Sequence, residues 1–153
     1  MKKERNIALA VCAVLAALIL LLTSQSSPLY PINLWGDANC LFTVGRVMKD
    51  GGVLYRDIYE QKGPLLYLIH ALAACLSDTS FVGVYIMEAL AMTASLYAAY
   101  RLMRLRAGMG FSLGAAAFFG AAFASCTAFI RGDSAEEFCL PLLMAALAIA
   151  YAE

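Results

Sequence analysis

Residues 7–23, 81–100, 108–130 and 138–151 form apolar runs that are almost free of charge. Runs of this kind at or near 18 residues are what a bilayer-crossing helix requires. Composition supports the same class. The chain is 63% hydrophobic and 14% charged, against roughly 25% charged residues in soluble domains. So few charges do not cover a globular surface of this size. The expected fold class is therefore an all-α integral membrane protein. The formal net charge is zero, and there is no basic stripe, so no nucleic-acid partner is expected. P-loop, GxGxxG and zinc-ligand spacings are also absent. Glu153 follows directly on an apolar run without a capping glycine or a basic stop, so the sequence reads as the first part of something longer.

Charge sets the expected topology. Lys2, Lys3 and Arg5 precede the first run and place the N-terminus in the cytoplasm of a multi-pass cell-membrane protein. Ser24-Gln25-Ser26 passes as a weak signal-peptide cleavage site, but the apolar run exceeds the roughly 7–15 residues of a signal h-region. A retained span is the favoured reading. Residues 24–80 then form a first outer loop. Tyr30 and Trp35 suit headgroup depth. From Asp37 to Asp50, the positions Ala38, Leu41, Phe42, Gly45 and Met48 follow a helical period, and Gly51-Gly52 ends it. The apolar stretch 64–77 reaches only about 21 Å as a helix, against a hydrocarbon core of about 30 Å, so it is expected to be re-entrant or interfacial. Keeping it outside sends Arg101, Arg104 and Arg106 to the cytoplasm, as the distribution of basic residues prefers. The expectation is about four transmembrane helices plus outer juxtamembrane helices, in a single domain 1–153.

Several ionisable residues are candidates for chemistry. Asp37 reads either as the N-cap of the helix after it or as a general base held at a helix start. Arg56 and Lys62 read as water-facing loop charges or as phosphate ligands, the guanidinium as a fork and the ammonium as a point charge. Lys62 stands just before Gly63-Pro64, where the chain enters an apolar segment. Glu136 and Glu137 lie in a second outer turn, 131–137, as candidates for an additional acidic site. Glu88 lies inside an apolar run. It reads equally as a functional membrane carboxyl or as a protonated group bonded to a neighbouring helix. His70 reads as a satisfied packing residue. Arg131-Gly132-Asp133 spells an adhesion tripeptide by chance. Cys12, Cys40, Cys75, Cys126 and Cys139 read as small hydrophobic fillers, with a Cys40–Cys75 disulfide the disfavoured alternative.

Gly36-Asp37-Ala38-Asn39 follows the first run, and the segment running from Leu54 through Arg56, Asp57, Glu60, Gln61, Lys62, Gly63 and Pro64 to Tyr67 follows the amphipathic helix. This order resembles the N-terminal part of the GT-C membrane glycosyltransferases, the branch with protein O-mannosyltransferases and lipid A aminoarabinose transferases. The resemblance implies transfer of a sugar from a polyprenyl-phosphate carrier to an acceptor on the outer face. It puts Asp37 at the family's first-loop catalytic acid and Lys62 at the lysine that contacts the carrier phosphate; Arg56 is the alternative or helper to Lys62. Glu136-Glu137-Phe138 resembles the acidic position opening a later span. Asp37 is followed by alanine where many members have a second acid or its amide, so a divalent metal is left open. Gln61 replaces a glutamate seen in some relatives. The implied partners are a polyprenyl-phosphate-linked sugar, the lipid bilayer and an acceptor of unknown type. The other class kept open is a non-enzymatic small membrane protein or a transporter fragment.

Overall fold

In the computed structural model, which describes residues 2–129 and 131–151, the chain is all-helical, with no strand among the described residues. Six helices follow one another: α1 (Lys2–Thr23), α2 (Gly36–Lys49), α3 (Pro64–Leu76), α4 (Val82–Arg104), α5 (Met109–Ala124) and α6 (Ala135–Ala150). Two of them, α1 and α4, are long and apolar enough to cross a membrane, and α3 and α5 are shorter apolar helices. Glu153 lies outside the described residues.

The helix ends follow local chemistry. α2 closes on a glycine pair: Gly51, at φ +92°, donates to the Met48 carbonyl, and Gly52 donates 2.8 Å to that of Val47. These are the two bonds of a Schellman ending, which needs a left-handed residue at its corner. α3 starts on Pro64, whose fixed φ suits the first helical position. α5 is shorter than its apolar stretch. The Ser125 side chain donates 2.8 Å back to the Ala121 carbonyl, and successive turns carry the chain on from Cys126. With 16 residues each, α5 and α6 are about 24 Å long.

α1 presents Ala8, Cys12, Ala16 and Leu20 as one buried stripe at four-residue spacing. Against it α4 sets Met92, Leu96 and Tyr100, and Ala116 of α5 completes the cluster. Small residues bring these helices close. Gly120 leaves room for Leu96 and Ile19, whose methyl carbons lie 2.7 and 3.0 Å from where a Cβ would stand. The two long helices are antiparallel: Arg104 reaches Glu4 at 2.9 Å at one end, and Ser24 reaches Glu88 at 2.9 Å toward the other. α4 is the hub, packed on α1, α3, α5 and α6, while α2 packs on α3. At that second contact Gly45 lies against the His70 backbone, 2.5 Å from the position a Cβ would take.

Candidate functional site

Residues 53–62 are a folded turn. Val53 N–H donates 2.7 Å to Asp57, and Tyr55, in the left-handed region at φ 65°, donates its amide 2.8 Å to Ile58. The turn delivers Lys62 with its backbone held on both sides. The Lys62 amide donates to the Tyr67 hydroxyl at 2.6 Å and to Glu60 at 3.0 Å, and the Lys62 carbonyl accepts from the Tyr55 hydroxyl at 2.9 Å. Tyr67 in turn donates to Glu60. Burial opposes ionisation of Glu60, but the Tyr67 hydroxyl and the amides of Gln61 and Lys62 outweigh it and hold the carboxyl below its ordinary range. The same burial and the facing carboxylate push the Tyr67 phenol up.

Lys62 borders an apolar cleft of about 250 Å³ between the start of α3 and the first turns of α6. Its walls include Pro64, Leu66, Ile69, Phe138 and Leu142. The Lys62 ammonium makes no ion pair among the described residues. One cation at the rim and hydrocarbon walls below suit a ligand with an anionic head and an apolar tail.

Behind this cleft lies a buried polar cluster. His70, Glu88 and Asp133 are fully buried, and Glu137 is 1% exposed. His70 Nδ1 lies 2.8 Å from the Leu66 carbonyl, and Nε2 lies 2.7 Å from Asp133 Oδ1. A carbonyl only accepts, so Nδ1 carries a proton. Burial favours a neutral ring, but the Asp133 carboxylate and the Leu66 carbonyl outweigh it and raise the His70 pKa above its ordinary value. Glu88 accepts from the Ser24 hydroxyl at 2.9 Å and from the Asp133 amide at 2.7 Å. Glu137 accepts from the same amide at 3.1 Å. Asp133 Oδ2 and Glu137 Oε1 are buried without a partner. The backbone that brings these groups together is unusual: Gly132 has φ +83° and Asp133 φ 56°. Strain of this kind persists where surrounding structure over-determines it.

The residues singled out from the sequence are dispersed. Asp37 is exposed in the first turn of α2. It is not the N-cap: the helix begins one residue earlier, Trp35 occupies the cap position, and no side chain caps it. In the first turn the Asp37 carboxylate still faces the positive end of the helix dipole. No hydrogen bond or ion pair among the described residues joins Asp37 to Lys62. Arg56 is tied to the neighbouring Asp57 at 2.8 Å on both nitrogens, so its fork is already occupied. Glu136 is exposed, whereas Glu137 is buried and points into the cluster. Asp133 and Ser24 carry much of this cluster; the sequence marked Asp133 only as one of the acids of the outer turn 131–137, and Ser24 was not a candidate. One signal was there: Ser134 accepts 3.2 Å from the Glu137 amide, the Ser-x-x-Glu spacing of a capping box ahead of an apolar run.

Among the described residues no group of three His, Cys, Asp or Glu is arranged to hold a metal ion. All five cysteines are free, Cys40 and Cys75 included. No family model, curated protein or solved structure matches the chain.

Proposed function

We propose that the chain belongs to a multi-pass membrane glycosyltransferase that takes a sugar from a polyprenyl-phosphate carrier to an acceptor on the outer face of the membrane. One observation carries this reading: Lys62 stands at the rim of the apolar cleft between α3 and α6. A polyprenyl phosphate pairs an anionic head with a hydrocarbon tail, and the cleft offers an ammonium and hydrocarbon walls. In this reading α1 and α4 cross the bilayer, α5 and α6 cross it with local thinning to match their shorter length, and α2 and α3 lie at its outer surface, where the distribution of basic residues keeps them. The antiparallel α1–α4 pair supports that orientation. It gathers Lys2, Lys3, Arg5, Arg101, Arg104 and Arg106, six of the chain's eleven basic residues, at one end.

The chemistry assigned to these residues is a displacement at the sugar's anomeric carbon. The acceptor oxygen forms the new bond as its proton passes to Asp37 acting as general base. The bond from the anomeric carbon to the phosphate oxygen breaks, and its electron pair leaves with the carrier phosphate. Lys62 stabilises the charge that develops there. Arg56 joins only by giving up its pairing with Asp57.

The test compares binding of polyprenyl phosphate and of the uncharged polyprenol to the protein in detergent. The phosphate is expected to bind more tightly, and Lys62→Met to remove that preference. A charge-assisted hydrogen bond contributes about 1.5–3 kcal/mol, or roughly 10–100-fold. In the complete gene product, Asp37→Asn is expected to abolish transfer without loss of membrane insertion. Equal binding of the two lipids by the unaltered protein sinks this reading and favours the non-enzymatic one, a small membrane protein or transporter fragment built around the buried Glu88. That alternative has Glu88 against it as well as for it: the carboxyl is closed in by Ser24 and the Asp133 amide rather than open to a water path.

A further inference from the structure

A second cavity, of about 580 Å³, lies at the opposite end of the α1–α4 pair from Glu88, between the first turns of α1 and the last turns of α4. Lys2, Arg5, Arg101 and Arg104 line it with Glu4 as its one acid, and Tyr97 and Tyr100 form its floor. Glu4 is committed: it accepts 2.9 Å from Arg104 and 3.2 Å from the Tyr100 hydroxyl. Its ion pair with Arg104 at 2.9 Å sets Glu4 against Arg104 alone. Lys2, Arg5 and Arg101 have no ion pair among the described residues. The two tyrosine rings stack with centroids 5.9 Å apart and an interplanar angle of 28°. The cavity therefore has three uncompensated cations around an aromatic floor, placed where two apolar helices end.

We infer that this cavity is a binding site for a phosphate group, the headgroup phosphate of an anionic phospholipid in the leaflet that α1 enters first. Arginine forks match phosphate oxygens in pairs, and lysine adds a mobile point charge. Basic pockets between helices at the cytoplasmic surface take acidic headgroups in this way. The neighbouring apolar helix surface, with Ile7 at 44% and Leu9 at 46% exposure on α1, gives acyl chains a wall to follow. The site is chemically distinct from the Lys62 cleft: it is the richer in charge and lies at the other end of the bundle. It rests on the membrane placement proposed above.

The test is retention of phosphatidylglycerol against phosphatidylcholine by the purified full chain, read by native mass spectrometry, with membrane retention under alkaline carbonate scored separately. Phosphatidylglycerol is expected to be retained preferentially. The Arg5→Gln/Arg101→Gln variant should lose roughly 5-fold per removed cation, about 25-fold in all. Arg5→Lys/Arg101→Lys keeps the charge and should keep most of the preference, which separates loss of the site from loss of the fold. Displacement of the lipid by millimolar inorganic phosphate assigns the site to phosphate as such, and resistance to it assigns the site to the whole lipid. Equal retention of the two lipids in a carbonate-resistant protein overturns this site alone. Release of the protein by carbonate overturns the membrane placement with it.

Discussion

His70 Nε2 lies 2.7 Å from Asp133 Oδ1, and neither side chain reaches solvent. The two residues join α3 to the turn before α6 across 63 positions of sequence. Removing one partner leaves the other buried and uncompensated, which costs about 3–5 kcal/mol. His70→Ala is therefore expected to lower the unfolding midpoint in a detergent–denaturant titration far more than His70→Ala does in an Asp133→Asn background. The sign of the pH dependence follows from the raised His70 pKa. The pair's contribution is full below the ordinary histidine value near 6.5 and is lost as pH rises through the higher folded value. Unfolding midpoints of the unaltered protein and His70→Ala should thus converge on the alkaline side. A gap that widens with pH excludes the charged pair.

Gly132 makes the second prediction. At φ +83°, an added Cβ would lie 2.3 Å from the Ser24 hydroxyl oxygen and 2.5 Å from Glu88 Oε1. Gly132→Ala thus combines a left-handed backbone penalty of about 1–2 kcal/mol with displacement of two buried hydrogen-bonded groups. Gly114→Ala is the control, since nothing lies within 4 Å of its added Cβ and alanine favours the helix. The expected order of unfolding midpoints is Gly114→Ala at or above the unaltered protein, with Gly132→Ala well below both. Equal midpoints for the two variants mean that the 131–134 turn does not hold the cluster together.

These two residues also mark the limit of what the sequence discloses. The α2 helix was legible because its buried side, Ala38, Leu41, Phe42 and Gly45, repeats at helical spacing and a glycine pair follows it. The end of α5 was not, because residues 125–129 carry no charge, glycine or proline to mark a stop in an apolar stretch. The N-cap of α2 is Trp35, two residues before the expected Asp37, which makes Asp37 an exposed first-turn acid. Lys62 stood out because it precedes Gly63-Pro64, a local signal. The polar cluster did not, because its bonds link positions separated by 45, 63 and 64 residues. No periodicity in one chain reports pairings of that separation. Glu137 was half visible, as one of two adjacent acids, and only its burial distinguishes it from Glu136.

Tyr67 tests whether the turn positions Lys62. The hydroxyl accepts from the Lys62 amide and donates to Glu60, so Tyr67→Phe removes two polar contacts while keeping the ring against Tyr55. The expected cost in global stability is about 1–2 kcal/mol. The discriminating measurement is binding. Polyprenyl phosphate should bind several-fold more weakly to Tyr67→Phe, with polyprenol unaffected, because the ammonium is displaced and the apolar walls are not. A matching loss for both lipids assigns Tyr67 to the shape of the cleft instead.

Orientation in the membrane gives the last prediction. The proposed membrane placement puts Asp37 and Lys62 on one side of the bilayer and Arg106 on the opposite side. The exposed natural thiols of Cys40, Cys75, Cys126 and Cys139 must first be replaced by serine. Asp37→Cys, Lys62→Cys and Arg106→Cys are then made singly in that background. In right-side-out membranes an impermeant maleimide is expected to label the first two variants without permeabilisation and the third only after it. The positive-inside preference gives this arrangement its physical basis, since each basic residue near a span end resists translocation. Labelling of positions 37 and 62 from opposite sides separates the proposed base from the proposed phosphate ligand. No single reaction centre then contains both.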